Sequence, residues 1–75
     1  MKKDREAAKN VKKLFGKQVR KRRVELGFSQ EQLAFESGLH RNYIGSVERG
    51  ERNISLENIY ILAKALKYSP KDLLL

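Results

Sequence analysis

The chain has 75 residues, with 17 Lys and Arg against 9 Asp and Glu, a single His and no Cys. This length allows one small domain, and the absence of Cys excludes disulfides, thiol nucleophiles and Cys-containing zinc sites. We therefore expect a simple helical core, no metal, no cofactor and no small-molecule ligand, because so short a chain hardly encloses a pocket.

The positive charge is unevenly distributed. Residues 1–26 carry eleven Lys or Arg and three Asp or Glu, whereas residues 27–75 carry six of each kind. Such a basic block is typical of a nucleic-acid arm, a membrane-surface helix or a solvated tag. No apolar run approaches the length of a membrane span, and the Lys-rich start lacks the apolar stretch of a signal peptide. We expect a cytoplasmic protein that does not bind membranes.

The first predicted helix is defined by an apolar stripe. Val11, Phe15 and Val19 recur at i, i+4 and i+8, with Leu14 beside them, and the helix should stop near Gly27. Residues 1–10 are too polar to pack, so we expect a basic, frayed segment there and a domain over residues 11–75.

Two short helices are predicted next. Ser29 and Gln32 have the spacing of a capping box, which predicts a helix over residues 30–37 that ends at Gly38. A third helix should span residues 41–48, with Ile44 and Val47 facing inward.

The last two helices follow a polar stretch. Ser55 can cap a helix over residues 56–66 whose inner stripe consists of Ile59, Leu62, Ala63 and Leu66. Ser69 and Pro70 are typical of the start of a final turn. No segment alternates like a strand, so the sequence predicts an all-α, five-helix fold.

Two short helices joined by a tight, Gly-containing turn are typical of a DNA reader, although an ordinary helical hairpin has the same pattern. The stretch FGKQVRKRRVELGFSQEQLAFESGLHRNYIGSVERGERNISLENIYILAKAL resembles the Cro/CI-type (Xre family) helix-turn-helix domains. Within that family it is most similar to the controller proteins of restriction-modification systems. The resemblance implies a lambda-repressor-like fold and sequence-specific binding of double-stranded DNA.

The third helix should read the bases. Arg41, Asn42 and Ser46 fall on one side of this helix, where an Arg fork suits guanine and an Asn amide suits adenine. Tyr43 either contacts a thymine methyl, directs its hydroxyl to a phosphate or packs on the neighbouring helix. The alternatives are a phosphate contact for Arg41 and a space-filling role for Ser46.

A second group should contact the DNA backbone. The resemblance places Gln30 at a phosphate, where it also braces the reading helix, and it places the loop before the fourth helix on the DNA backbone. The expected backbone contacts are Gln30, His40, Arg49, Arg52, Asn53 and Ser55.

Two further features concern the scaffold. The resemblance implies that Arg23 and Glu48 form a largely buried pair, the alternative being two solvated charges. Gly45 indicates close approach to its helix face by either the DNA backbone or the second helix.

The expected function is that of a transcriptional regulator, not an enzyme, which binds a pseudo-palindromic operator as a homodimer. The expected dimer interface comprises Tyr60, Ile61, Leu73 and Leu75. The alternative is an antitoxin-type, protein-binding module that also binds its own promoter.

Overall fold

The computed structural model describes residues 2–74, within which the chain forms five helices and no strand. The helices are α1 (Lys2–Glu25), α2 (Gln30–Ser37), α3 (Arg41–Glu48), α4 (Leu56–Ala65) and α5 (Pro70–Leu74). The all-α, five-helix prediction is confirmed. Among these residues, no helix combines the length and the apolar character that crossing a bilayer requires.

The long first helix begins earlier than the sequence predicted. It starts at Lys2 and not near Val11, because the first turns consist mainly of the helix-favouring residues Lys, Arg, Glu and Ala. Asp4 lies in the first turn, where the helix dipole favours a negative charge. The helix is about 36 Å long at 1.5 Å per residue, close to the 38 Å longest extent of the molecule. The residues expected to fray are therefore helical, and residues 3–10 are all exposed.

Local caps set the bounds of the short helices. The Ser29 hydroxyl accepts a hydrogen bond from the Gln32 N–H at 3.0 Å, and the Ser55 hydroxyl accepts one from the Asn58 N–H at 3.1 Å. Gly38 ends α2 in the left-handed conformation (φ +73°), which a residue with a side chain adopts only at a cost. These caps leave a turn of only a few residues between α2 and α3, so the two helices are held as one unit.

The core lies where α1, α3, α4 and α5 meet, with α2 packed on α3 and α4. Ile44 and Val47 of α3 face inward as predicted. The remaining buried apolar residues are Phe15, Val19, Leu33, Leu62, Ala63, Leu66 and Leu73. Gly45 and Ser46 of α3 are also buried, so its solvent-facing side chains are those of Arg41 and Asn42 at its start, followed by Arg49 just after its end.

Three predictions about burial are wrong. The sequence predicts Val11 and Leu14 in the packed stripe of the first helix, but they are 58% and 61% exposed because the five-residue α5 leaves an open recess beside them. Leu73 was expected at a dimer interface, but it is 1% exposed because α5 packs against both α1 and α4. Leu75, the other C-terminal residue expected at that interface, lies outside the described residues.

Candidate nucleic-acid interface

A shallow polar recess occupies the outer face of the helix-turn-helix unit. It has a volume of about 290 Å³ and is lined by Gln30, Arg41, Asn42, Gly45 and Arg49. Asn42, Gly45 and Arg49 follow the i, i+3, i+7 spacing that places residues on one helix face. The structure thus brings together two of the predicted base readers and two of the predicted backbone contacts.

The start of α3 presents its polar groups to solvent. The Arg41 side chain is 57% exposed and lies 3.5 Å from the exposed carboxylate of Glu31. Such a surface pair is worth about 0–1 kcal/mol, so the guanidinium can exchange this carboxylate for another acceptor. The N–H of Asn42 donates to Nδ1 of His40 at 3.1 Å, so His40 caps the helix.

A buried ion pair fixes the orientation of α3. Arg23 of α1 donates from Nε and Nη2 to the two carboxylate oxygens of Glu48, at 2.6 and 3.0 Å. The two side chains are 12% and 5% exposed. The structure places the pair as the resemblance implied. Because both oxygens of Glu48 are engaged, its side chain cannot rotate without breaking charge-assisted bonds.

Two further bonds extend this pair into a network. Arg23 Nη1 donates to the carbonyl of Phe28, and Gln30 Nε2 donates to Oε1 of Glu48 at 3.2 Å. The network connects α1, the turn before α2, the start of α2 and the end of α3. It therefore holds the Gln30 side chain beside the recess.

Gly45 is in close contact with this held side chain. A Cβ atom built on Gly45 would lie 3.6 Å from Oε1 of Gln30 and 3.2 Å from Nη1 of Arg49. The second helix thus contacts this position through Gln30, whereas an approach of the DNA backbone stays a prediction. A larger residue at this position would push into the floor of the recess.

Ser46 does not lie on the outer face, although the sequence suggested that it reads bases. It is 6% exposed. Its hydroxyl donates to the carbonyl of Tyr43 at 2.7 Å and accepts from Nε of Arg52 at 2.9 Å. The outer face is centred on Asn42, Gly45 and Arg49, so Ser46 falls on the flank that the following loop covers. We therefore leave it out of the base-reading set.

Tyr43 is also engaged within the protein. It is half-buried, and its hydroxyl accepts a hydrogen bond from the Asn58 amide at 3.1 Å. The Arg52 guanidinium lies 5.4 Å from the centre of its ring, within the range of a cation–π contact. The structure thus shows the packing alternative for Tyr43. The same contacts orient Arg52 on the loop before α4.

The remaining predicted backbone contacts, Arg49, Arg52, Asn53 and Ser55, lie in the segment that joins α3 to α4. Arg49 donates to both carboxylate oxygens of Glu51, at 3.0 and 3.2 Å, and this pairing raises the pKa of Arg49. Arg52, Asn53 and Ser55 are all exposed. The exposed cations thus continue from the recess onto the loop.

Sequence reasoning missed one residue that positions the site. Gly16 lies where α1 crosses the end of α3, and a Cβ atom built on it would lie 2.6 Å from the carbonyl oxygen of Glu48. The signal was a Gly inside a helix of otherwise helix-favouring residues, where it costs about 1 kcal/mol relative to Ala. This close approach sets the distance between the two helices.

Comparisons with known proteins agree with this geometry. The family model HTH_3, described as helix-turn-helix, matches residues 19–73. The chain is 54% identical over 66 residues to control protein C.BamHI of Bacillus amyloliquefaciens, which covers 87% of this chain and 82% of that protein.

Two solved structures are similar over most of their length. The restriction-modification controller protein C.AhdI from Aeromonas hydrophila has a TM-score of 0.79 and 54% identity, over 81% of this chain and 92% of that one. The controller protein C.Esp1396I, described as a tetramer in complex with its natural 35 base-pair operator, has a TM-score of 0.75 and 30% identity. That match covers 87% of this chain and 96% of the other.

Proposed function

This chain belongs to the HTH_3 helix-turn-helix family, and from that premise we propose that it is a sequence-specific, double-stranded DNA-binding transcriptional regulator. The observation that carries the proposal is the exposed, polar outer face of α3, which a buried ion pair holds in a fixed orientation. A recognition helix must enter the major groove with its polar N-terminal residues leading. The start of α3 has that character.

Arg41 and Asn42 are the proposed base readers. The Arg41 fork can donate to O6 and N7 of guanine, and the Asn42 amide can bond N6 and N7 of adenine. Both side chains are exposed at the start of α3. Each such bidentate contact is worth about 1–3 kcal/mol of discrimination against the wrong base.

The surrounding polar residues are proposed to bind phosphates. This set comprises Gln30, His40, Arg49, Arg52, Asn53 and Ser55. Arg49 and Arg52 contribute charge, whereas Gln30 is held by Glu48 and contributes a fixed position. Phosphate contacts set the register of the protein on DNA without reading the sequence.

We assign the regulator to a restriction-modification system as its controller protein, acting in the cytoplasm. The similarity to C.BamHI and C.AhdI supports this assignment, since both cover most of the chain at 54% identity. The operator complex of C.Esp1396I supports the expectation that more than one subunit binds the DNA.

We expect a homodimer on a pseudo-palindromic operator, with the two α3 helices on half-sites about 34 Å apart. Exposed apolar side chains on α4 and α5, which we call the dimer edge, support such an interface. Leu56 and Tyr60 lie four residues apart on α4, and Leu74 of α5 is 56% exposed. A recess of about 330 Å³ beside Leu74 is also lined by Val11 and Ile59. Tyr60 remains in the proposed interface.

Ile61 also belongs to the proposed interface, since it is half-buried next to Tyr60 in a shallow recess. Leu73 does not belong to the interface, because it is buried in the core. A two-fold axis at this edge would leave both outer faces on the same side of the dimer.

Selection of bound duplexes from a random pool tests the proposed function. The wild-type protein should enrich a sequence with two related half-sites. Arg41→Ala should lose the preference at one base pair of each half-site, whereas the control Lys71→Ala should select the wild-type sequence. Failure of the wild type to enrich any sequence would contradict the proposal.

A further inference from the structure

One flank of α1 carries a row of basic side chains. Lys9, Lys13 and Arg20 lie at i, i+4 and i+11, which is three full turns, so they share one side of the helix. We call these three residues the basic stripe. All three are exposed.

The basic stripe runs alongside the end of α3. Between its members, Gly16 brings the α1 backbone against the Glu48 carbonyl. A Cβ atom built on Gly50 would lie 2.8 Å from Cγ and 2.9 Å from Cα of Lys13. Lys13 is therefore packed on Gly50, two residues after the end of α3, which fixes the base of its side chain.

The other end of the stripe opens into the candidate interface. Arg20 lines a recess of about 180 Å³ together with Gln30, Gly45 and Arg49. Three of these residues also line the polar recess on the outer face of α3. The stripe is thus continuous with the proposed DNA-binding surface, although it belongs to a different helix.

The charges of the stripe are not neutralised by the protein. Arg41 and Arg49, at the recess, pair with Glu31 and Glu51. Within residues 2–74, by contrast, none of the three stripe residues forms an ion pair. Three uncompensated cations in a row, beside a surface that faces DNA, complement a polyanion.

We infer that the basic stripe is a second phosphate-binding surface, which binds the DNA backbone beside the groove that α3 occupies. This inference rests on the proposed function and adds α1 to the binding surface. The stripe carries no sequence information. Its effect is to raise affinity for the selected duplex and for random duplexes alike, through release of counterions.

The same helix offers a matched control. Lys21 lies seven residues after Leu14 and three after Gln18, on the flank where those residues line a recess with Leu73 and Leu74. Lys3 lies eighteen residues before Lys21, which is five full turns, so both residues lie on the same side of α1. Both are exposed. Lys3→Gln paired with Lys21→Gln removes the same charge as Lys13→Gln paired with Arg20→Gln.

The experiment measures the affinity of wild type and both double variants, as a function of salt, for the selected duplex and a random-sequence duplex. Each lost phosphate contact reduces the steepness of log K against log salt by about 0.9, so the stripe variant, which loses two contacts in each subunit of the proposed dimer, should lose about 3.6. The control should keep the wild-type slope, and both variants should keep the wild-type melting temperature and sequence preference.

Equal slopes for the two variants, or a wild-type slope in the stripe variant, would overturn the inference while leaving the proposed function intact. A changed sequence preference in the stripe variant would overturn it as well, because phosphate contacts do not select bases. A wild-type protein that enriches no sequence would instead contradict the proposed function.

Discussion

At the scale of single residues, Glu48 is a buried charge held by three hydrogen bonds. It is 5% exposed, and its oxygens accept from Arg23 of α1 and Gln30 of α2. A buried pair of this kind is not by itself a source of stability, because desolvation offsets much of the attraction. The pair and its neighbours instead fix the geometry, because all the bonds form only when α1, α2 and α3 are correctly placed relative to one another.

Removing one partner of the pair should be costly. Glu48→Ala leaves Arg23 largely buried without its carboxylate, so we expect a loss of about 3–5 kcal/mol in the free energy of unfolding. The control is Glu51→Ala, which removes a surface carboxylate from Arg49 and should change stability by no more than about 0.5 kcal/mol. Chemical denaturation measures both. Similar stabilities for the two variants would show that the buried pair has no structural role.

For single residues, the sequence predicts exposure on a helix face but not contacts with other elements. Arg41 and Asn42 could be placed because their exposure follows from the helix period alone. Ser46 and Tyr43 could not, because their partners Arg52 and Asn58 come from a loop and a helix whose packing the period does not predict. A small polar residue at the edge of a helix face can be buried or exposed, and only the tertiary fold decides.

At the scale of elements, the contact where α1 crosses α3 sets the distance between these two helices. The crossing is at Gly16, where a Cβ atom would meet backbone carbonyl groups that cannot move independently of α3. At Gly45, by contrast, a Cβ atom would meet only the ends of side chains. A side chain should therefore be poorly tolerated at Gly16, whereas a small one should be tolerated at Gly45.

Gly16→Ala should destabilise the protein by about 1–3 kcal/mol through overpacking, despite the better helix propensity of Ala. In a domain of this size that lowers the melting temperature by at least about 4 °C. Gly45→Ala is the matched control and should keep or raise the melting temperature. A Gly16→Ala variant as stable as its Gly45→Ala counterpart would contradict the tight crossing.

Element bounds were predicted well where their signals are local. Ser29, Gly38, Ser55 and Pro70 act on their own helix ends, and each lies at an end that the sequence predicted. The role of Leu73 was not predictable in this way. Its burial depends on α5 packing against α1 and α4, and the apolar character of a short C-terminal turn does not distinguish a core contact from a dimer contact.

At the scale of the whole molecule, the proposed dimer edge can be tested by adding charge. Tyr60→Asp paired with Leu74→Asp should convert a dimer into a monomer, since the carboxylates would be buried unpaired in the interface. Val24→Asp on α1 is the control, because Val24 is 59% exposed and lines none of the recesses that hold Tyr60, Ile61 or Leu74. Sedimentation at micromolar concentration measures the mass. A monomeric wild type, or a dimeric double variant, would contradict the proposed interface.

The start of α3 and the loop before α4 should have different roles in DNA binding. Arg41 should contribute to discrimination between base pairs, whereas Arg52 should contribute to affinity for any duplex. The two substitutions should therefore differ in whether binding free energy is lost on the selected duplex alone or on every duplex.

The most direct measurement compares the binding of Arg41→Ala and Arg52→Ala to the selected duplex and to a random duplex at one salt concentration. Arg41→Ala should lose about 1–3 kcal/mol on the selected duplex and much less on the random one. Arg52→Ala should lose about the same free energy on both duplexes. Equal losses on the two duplexes for Arg41→Ala would contradict base reading by α3, and with it the proposed function of this surface.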